Sequence, residues 1–232
     1  MNSLIILAGG KGSRAQQKYP KQFTLLDDKD SISRILYNQY PYKINNYTFK
    51  FDEIITVVNN DWKDLIKKEV SNVSKVVSGG NTRTESSYLG LKACSKKCEK
   101  VLIHDAARPF VSNEIFNECI NNLEKFDSVI PIIEQKDTLL LKKDQKIEYL
   151  NRTNIKSIQT PQGFKYDLIF KAYNNMIKSE TDDLQILLQH KPNASIKFIK
   201  GSEKNFKITT EYEIKLLKHI YKNKGLWENL YE

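Results

Sequence analysis

Short apolar runs alternate with longer stretches of helical period along this chain. Residues 4–8, 53–58, 74–77, 101–104, 128–133 and 194–199 are rich in Ile, Val and Leu and have the length of buried strands. Between or beyond them the apolar positions return every three or four residues, which predicts helices over 31–39, 61–70, 83–93, 112–125, 166–177, 182–189 and 211–222. The last of these carries Ile214, Leu217 and Ile220 on one side and lysines on the other, as a closing amphipathic helix does. A strand and helix alternation of this kind predicts an α/β fold with a doubly wound, mostly parallel sheet covered on both faces by helices.

One segment breaks the alternation. Residues 137–158 read as two β-like stretches around a polar Lys143-Asp144-Gln145-Lys146 turn, which predicts an inserted β-hairpin arm. A lone hairpin buries too little to be stable, so this arm is expected to cap a cleft or reach a second subunit. With no repeat, linker or low-complexity tail, residues 1–232 are expected to form a single domain that carries the 137–158 arm.

Composition narrows the class. Hydrophobic residues make up 40% of 232 positions, enough for an ordinary core, and no apolar run approaches the roughly 18 residues of a membrane span. The chain starts directly with a strand-like run and shows no basic, then apolar, then small-residue leader, so a cytoplasmic protein without membrane attachment is expected. Cys94, Cys98 and Cys119 are an odd set at spacings that support neither a disulfide framework nor a zinc site.

The net charge of +9 raises nucleic acid as a partner, but the kind of base argues otherwise. Only five of the 37 basic residues are arginines (Arg14, Arg34, Arg83, Arg108 and Arg152), and lysine supplies the rest. Lysine fills generic surface, whereas sparse arginines mark places that need a rigid, bidentate fork for phosphate or carboxylate. With no helix-turn-helix or paired-aromatic RNA-binding pattern, an anionic small substrate is expected and nucleic acid is not.

Three motifs carry chemistry. The first, Leu7-Ala8-Gly9-Gly10-Lys11-Gly12-Ser13-Arg14 with Pro20-Lys21-Gln22, follows the first strand directly. Its glycines let main-chain amides turn toward an anion, and Arg14 and Lys21 add charge there, so residues 9–21 read as a triphosphate cradle, with a glycine turn of purely structural use as the alternative. A Walker loop is absent, and the dinucleotide fingerprint lacks its acidic residue at the end of a second strand. The second motif, Gly79 to Ser86, joins a strand to a helix. Its paired glycines permit close approach to a flat ligand and Ser86 offers a hydroxyl, while Thr82 or Asn81 suits plain helix capping. The third, His104-Asp105-Ala106-Ala107-Arg108-Pro109, ends a buried strand. Asp105 is thereby placed to hold a magnesium ion, with Arg108 on a phosphate or on Asp105 itself, and His104 is read as packed into the core.

These motifs, taken with Asp137-Thr138, Arg152, Gln159-Thr160-Pro161-Gln162-Gly163-Phe164, Thr181-Asp182-Asp183 and Asn205-Phe206-Lys207-Ile208-Thr209, resemble the 2-C-methyl-D-erythritol 4-phosphate cytidylyltransferase family along nearly the whole chain. The resemblance implies a Rossmann-like nucleotidyltransferase that joins CTP to a sugar-alcohol phosphate. It implies Arg14, Lys21 and Lys207 as catalytic cations, and Ala8, Gly9, Gly10, Gly12, Ser13, Gly80, Arg83 and Ser86 around the nucleotide. Asp105, Arg108, Thr138, Arg152 and Thr160 fall around the sugar-alcohol phosphate, with Asp105 also on Mg2+ or another divalent cation. A homodimer with crossed β-arms is implied too, each supplying Arg152 to the other's site. The family shares these motifs with ribitol-5-phosphate cytidylyltransferases, which remain the alternative substrate class. Ala15, and the Ile155-Lys156 pair, depart from the commoner family residues at positions flanking the chemistry.

Overall fold

The computed structural model describes residues 1–10, 20–24, 51–70, 74–176, 180–223 and 226, with only the main chain at Lys21. The helix expected over 31–39 and the loop residues Gly12, Ser13 and Arg14 lie outside the described residues. Among those described, eight strands make one mixed sheet in the order β10-β5-β9-β4-β1-β2-β3, with β8 added on β5. The strands are β1 (Asn2–Ala8), β2 (Glu53–Val58), β3 (Lys75–Ser78), β4 (Lys100–Asp105), β5 (Ser128–Glu134), β8 (Lys156–Ile158), β9 (Gln162–Lys165) and β10 (Ile196–Lys200). β1 runs parallel to both β2 and β4, and β2 to β3. Short β9 runs antiparallel between β4 and β5, and β8 antiparallel on β5.

Strict alternation along the central strands feeds two cores, one on each face. Leu4, Ile6 and Ala8 of β1 join Ile54 and Val58 of β2 against Ile66 and Val70 of α1 (Asn60–Val70) and Ile115, Phe116 and Cys119 of α3 (Asn113–Asn122). Ile5 and Leu7, with Ile55 and Val57, face Leu91 of α2 (Arg83–Ala93), Ile169 of α4 (Tyr166–Asn174) and Leu184 and Leu187 of α5 (Asp183–His190). A third, smaller core joins Phe110 and Ile208 to Ile214 and Leu217 of α6 (Glu211–Lys222). That helix opens with a full capping box between Thr210 and Glu213, which supplies partners for its first free amides.

The differences from the sequence reading have simple causes. α3 stops at Asn122, and Leu123 to Phe126 close a turn instead of a further helical turn. α4 ends at Asn174, where Asn175 takes the cap. β9 was not expected, because four residues containing a glycine and two polar ends carry no strand pattern. Within 137–158 the hairpin proper is β6 (Leu139–Lys143) paired with β7 (Lys146–Leu150), turning at Asp144 with φ 55, while 156–158 returns to the main sheet. The hairpin pairs only with itself among the described residues. It leaves Leu140, Ile147 and Tyr149 more than half exposed.

Candidate active site

The chain lays β2 and β3 to one side of β1 and then crosses back to place β4 on the other. The gap beyond the carboxyl ends of β1 and β4 is therefore a topological switch point, where open α/β sheets hold ligands. A cleft of about 400 Å³ lies there, lined by Gly9, Gly10, Gln22, Gly80, Arg83, Ser86, Asp105 and Lys207 among others. A hollow of about 580 Å³ at the sheet edge, against Ile132, Phe198 and Ile199, holds none of the motif residues.

One wall of the cleft is the glycine loop. Ala8 ends β1, and its carbonyl and that of Gly10 both accept from the Nε2 of Gln22, at 2.7 and 2.8 Å. Gln22 is buried, in a short 3-10 turn anchored by Phe23, which packs on Trp62. One amide thus holds the carbonyls on either side of Gly9, a duty the sequence reading did not assign to this residue. The side chain of Lys21 and the residues Gly12, Ser13 and Arg14 lie outside the described residues.

The second wall is the turn from β3 into α2. Thr82 caps the helix, its side chain accepting from the Glu85 amide, so the capping role is present in full. Ser86 donates to the Thr82 carbonyl at 2.9 Å and accepts from the Gly80 amide at 3.2 Å, which folds the glycine pair onto the helix. The space is tight: a Cβ on Gly80 would stand 2.3 Å from the Cβ of Glu85. Gly80 and Ser86 therefore line the cleft through close backbone packing.

The floor is the end of β4. Asp105 receives Arg83 Nε on Oδ1 at 3.2 Å and Lys207 Nζ on Oδ2 at 2.6 Å. Burial alone would raise its pKa, but these two cations outweigh it and hold the carboxyl far below the usual carboxylate range. Burial likewise opposes the charge on Arg83, and the Asp183 and Asp105 carboxylates reverse it, keeping the guanidinium protonated. Arg108 is not on Asp105. Its Nη1 donates to the Asn205 carbonyl at 2.8 Å, its Nε has no partner among the described residues, and burial lowers its pKa.

Beneath the floor lies a fixed polar chain. His104 Nε2 meets the Arg108 carbonyl at 3.0 Å, so that nitrogen must carry the proton. Burial pushes the ring's pKa down to about 4, so the imidazole is neutral and its Nδ1 accepts from the Thr160 hydroxyl at 3.0 Å. Thr160 in turn accepts from the Asp105 amide. The ring also packs edge-on against Phe116, so His104 is a core residue, as read from sequence, with a structural task added. Asn205, fully buried, ties the Lys207 loop down by donating to the Thr160 carbonyl at 2.8 Å, and Gln159 donates to the carbonyls of Ser202 and Asn205.

Thr138 and Arg152 do not line this cleft. Both are exposed at the base of the hairpin, where Arg152 Nη1 donates to the Lys136 carbonyl at 2.6 Å. At the other end of the sheet Glu53, Cys94 and Cys98 bring their ligand atoms within 4.8 Å of one another. Each already has an internal partner: the Gly90 carbonyl for Cys94, the Lys100 carbonyl for Cys98, and Ser3 and Ser95 for Glu53. The described cysteines are free thiols.

A glycine turn and an ionised aspartate line one cleft at the switch point, and this fold and cleft, with the relatives that follow, make the chain a nucleotidyltransferase. The sequence model of the family described as IspD, 2-C-methyl-D-erythritol 4-phosphate cytidylyltransferase, matches residues 3–223. The chain is 36% identical to the 2-C-methyl-D-erythritol 4-phosphate cytidylyltransferase of Alkaliphilus oremlandii, over 96% of this chain and 95% of that protein. It is 39% identical to the bifunctional enzyme IspD/IspF of Pelagibacter ubique over 93% of its length, and spans 56% of that longer protein. The crystal structure of 4-diphosphocytidyl-2C-methyl-D-erythritol synthase from Anaerococcus prevotii superposes with a TM-score of 0.80 at 30% identity, covering 96% of each chain. The chain belongs to the 2-C-methyl-D-erythritol 4-phosphate cytidylyltransferase family.

Proposed function

We propose that this chain transfers the cytidylyl group of CTP to the phosphate of 2-C-methyl-D-erythritol 4-phosphate and releases pyrophosphate. An oxygen of the acceptor phosphate forms a bond to the α-phosphorus of CTP, and the bond from that phosphorus to the bridging oxygen breaks. The acceptor is an anion near neutral pH, so no side chain need remove a proton from it. The protein's part is to orient the two phosphates and to offset the charge that builds on the α-phosphate oxygens. The observation that carries this reading is the pair of cations, Arg83 and Lys207, held on Asp105 directly across the cleft from the clamped glycine loop.

This placement supports the roles of the cleft residues, and the family resemblance supports those of Gly12, Ser13, Arg14 and Lys21. Main-chain amides at Gly9 and Gly10, with Gly12, Ser13 and Arg14 further along the loop, receive the triphosphate, and Gly80, Arg83 and Ser86 border the nucleotide. Arg14, Lys21 and Lys207 stabilise the transition state. Thr160, with its hydroxyl committed to His104, acts from beneath by fixing the Asp105 amide. An ionised carboxylate at a strand end fits a hard divalent ion, which takes one or two protein carboxylates and completes its shell from phosphate and water. Asp105 would hold Mg2+, which when bound supplies positive charge to the phosphate oxygens.

The sugar-alcohol side is completed by a second subunit. The arm 137–158 supports this, since its exposed Leu140, Ile147 and Tyr149 share one face of an otherwise unpartnered hairpin. Arg152 and Thr138, absent from the cleft of one chain, would enter the site of the other, with Arg108 nearby. The working unit is then a cytoplasmic homodimer of single-domain chains. Among the described residues no helix is long and apolar enough to cross a membrane.

The test is pyrophosphate release from CTP with methylerythritol 4-phosphate, with ribitol 5-phosphate, and with no acceptor. Release with the first acceptor alone is expected. Release only with ribitol 5-phosphate would overturn the substrate, and release with neither would overturn the reaction.

A further inference from the structure

Asp105 is supplied with two cations before any ligand enters. A divalent ion that takes this carboxylate must displace Arg83 from Oδ1, Lys207 from Oδ2, or both. Lys207 has an easy alternative: its side chain is 40% exposed and extends from a loop at the mouth of the cleft. Arg83 does not, because its side chain is only 26% exposed, and a guanidinium pushed off Asp105 without a new partner would be a buried, unpaired charge.

A partner for it is already in place. Arg83 Nη2 lies 2.7 Å from Oδ2 of Asp183, whose side chain is completely buried at the start of α5. That oxygen makes no well-directed hydrogen bond among the described residues, even though the two charges touch. The other oxygen, Oδ1, accepts from the Tyr173 hydroxyl at 2.5 Å, and the Tyr173 ring stacks on Tyr88 at 5.9 Å with planes 5° apart. The carboxylate is thus fixed by one oxygen and offers the other to Arg83. In the structure the guanidinium is shared, Nε toward Asp105 and Nη2 toward Asp183, and a small rotation would give it wholly to Asp183.

We infer that Asp183 is a positioning residue: a buried second seat that draws Arg83 off Asp105 when a divalent cation binds there, so that the site gains the ion without stranding the arginine. This rests on the reading of Asp105 as the cation-holding carboxylate. Replacing Asp183 by Asn keeps an acceptor for Tyr173 but removes the charge, leaving Asp105 as the one carboxylate in contact with Arg83 among the described residues. Arg83 then competes with the ion. Loss of such an outer partner weakens metal binding by roughly 10- to 100-fold.

The experiment titrates Mn2+ into the CTP-loaded dimer and reads free aquo-Mn2+ by electron paramagnetic resonance, for wild type, Asp183→Asn, Tyr173→Phe, Asp105→Asn and the double variant Arg83→Gln/Asp183→Asn. Asp183→Asn should need about tenfold or more Mn2+ for half saturation. Turnover of the same variant should recover when Mg2+ is raised, a rescue that a merely structural defect does not show. Tyr173→Phe should shift affinity the same way by a smaller factor, which keeps a readout if Asp183→Asn does not fold. The double variant, with its competitor gone, should bind Mn2+ more tightly than Asp183→Asn alone. Wild-type affinity in both Asp183→Asn and Tyr173→Phe, or a double variant no tighter than the single, would overturn the inference while the Asp105 reading stands. Unchanged binding in Asp105→Asn would overturn both.

Discussion

Acidification should weaken this fold measurably through a single buried ring. His104 is enclosed beneath the site, and burial lowers its pKa to about 4 from an ordinary value of 6.5. As pH falls through about 6.5 the unfolded chain binds a proton that the native chain refuses until about 4, so stability present above that window is lost within it. At about pH 5 the unfolded histidine has gained about 2 kcal/mol of protonation free energy and the native one almost none, and the loss reaches about 3 kcal/mol at about pH 4. Protonation would also turn Nδ1 into a donor. Thr160 would then face two donors, His104 and the Asp105 amide, and its own proton would lose its acceptor. The assay is urea denaturation at a series of pH values for wild type and His104→Asn, which keeps a polar side chain but does not titrate. The gap between the two proteins should narrow by about 2 kcal/mol between about pH 8 and about pH 5. Parallel curves would refute the reasoning, as would a His104 ring resonance that titrates near 6.5.

Three further outcomes are expected. Gln22→Leu leaves the Ala8 and Gly10 carbonyls without their Gln22 donor, lowering the unfolding free energy from urea titration by about 2 kcal/mol and raising the KM for CTP more than it lowers kcat. Gly80→Ala puts a Cβ onto Glu85 and pushes the start of α2 away from the cleft; kcat/KM for CTP should fall about tenfold or more, with circular dichroism unchanged. On the proposed dimer, Leu140→Glu with Tyr149→Lys should yield a folded monomer by analytical ultracentrifugation, with turnover down about 100-fold.

The central strands and both cores were legible in the sequence because each strand there is a run of Ile, Val and Leu that helices bury from both sides. The site's outline was legible for a related reason: a glycine turn and an aspartate at the ends of such strands have few other uses. What the sequence could not give was commitment of partners. Asp105 and Arg108, three residues apart, look like a pair, yet the chain brings Arg83 and Lys207 from separate elements and sends Arg108 to Asn205. Gln22 and Asp183 stood within motifs already noted, but their duties depend on contacts with Ala8, Gly10 and Arg83 that no local pattern encodes. β9 was illegible because its strand character comes from the neighbours β4 and β5, with Gly163 admitted where the Leu102 side chain leaves no room for a Cβ.

The small core under α6 has a consequence for how the cleft moves. Phe110, Ile208, Ile214 and Leu217 are its fully buried members, and the loops bearing Arg108 and Lys207 both descend into it, joined by the Ile208 amide on the Ala107 carbonyl. A cluster of this size holds far less cooperative free energy than the two main cores, so its opening is a local event. The lysine on Asp105 is therefore tied to this small core, while Arg83 leads α2, which packs on β1, β2 and β3 of the main sheet. The side of the cleft that bears Lys207 can thus open with the small core while the turn that bears Gly80 and Arg83 keeps its place, so the Lys207 contact with Asp105 can break without loss of the fold that carries it.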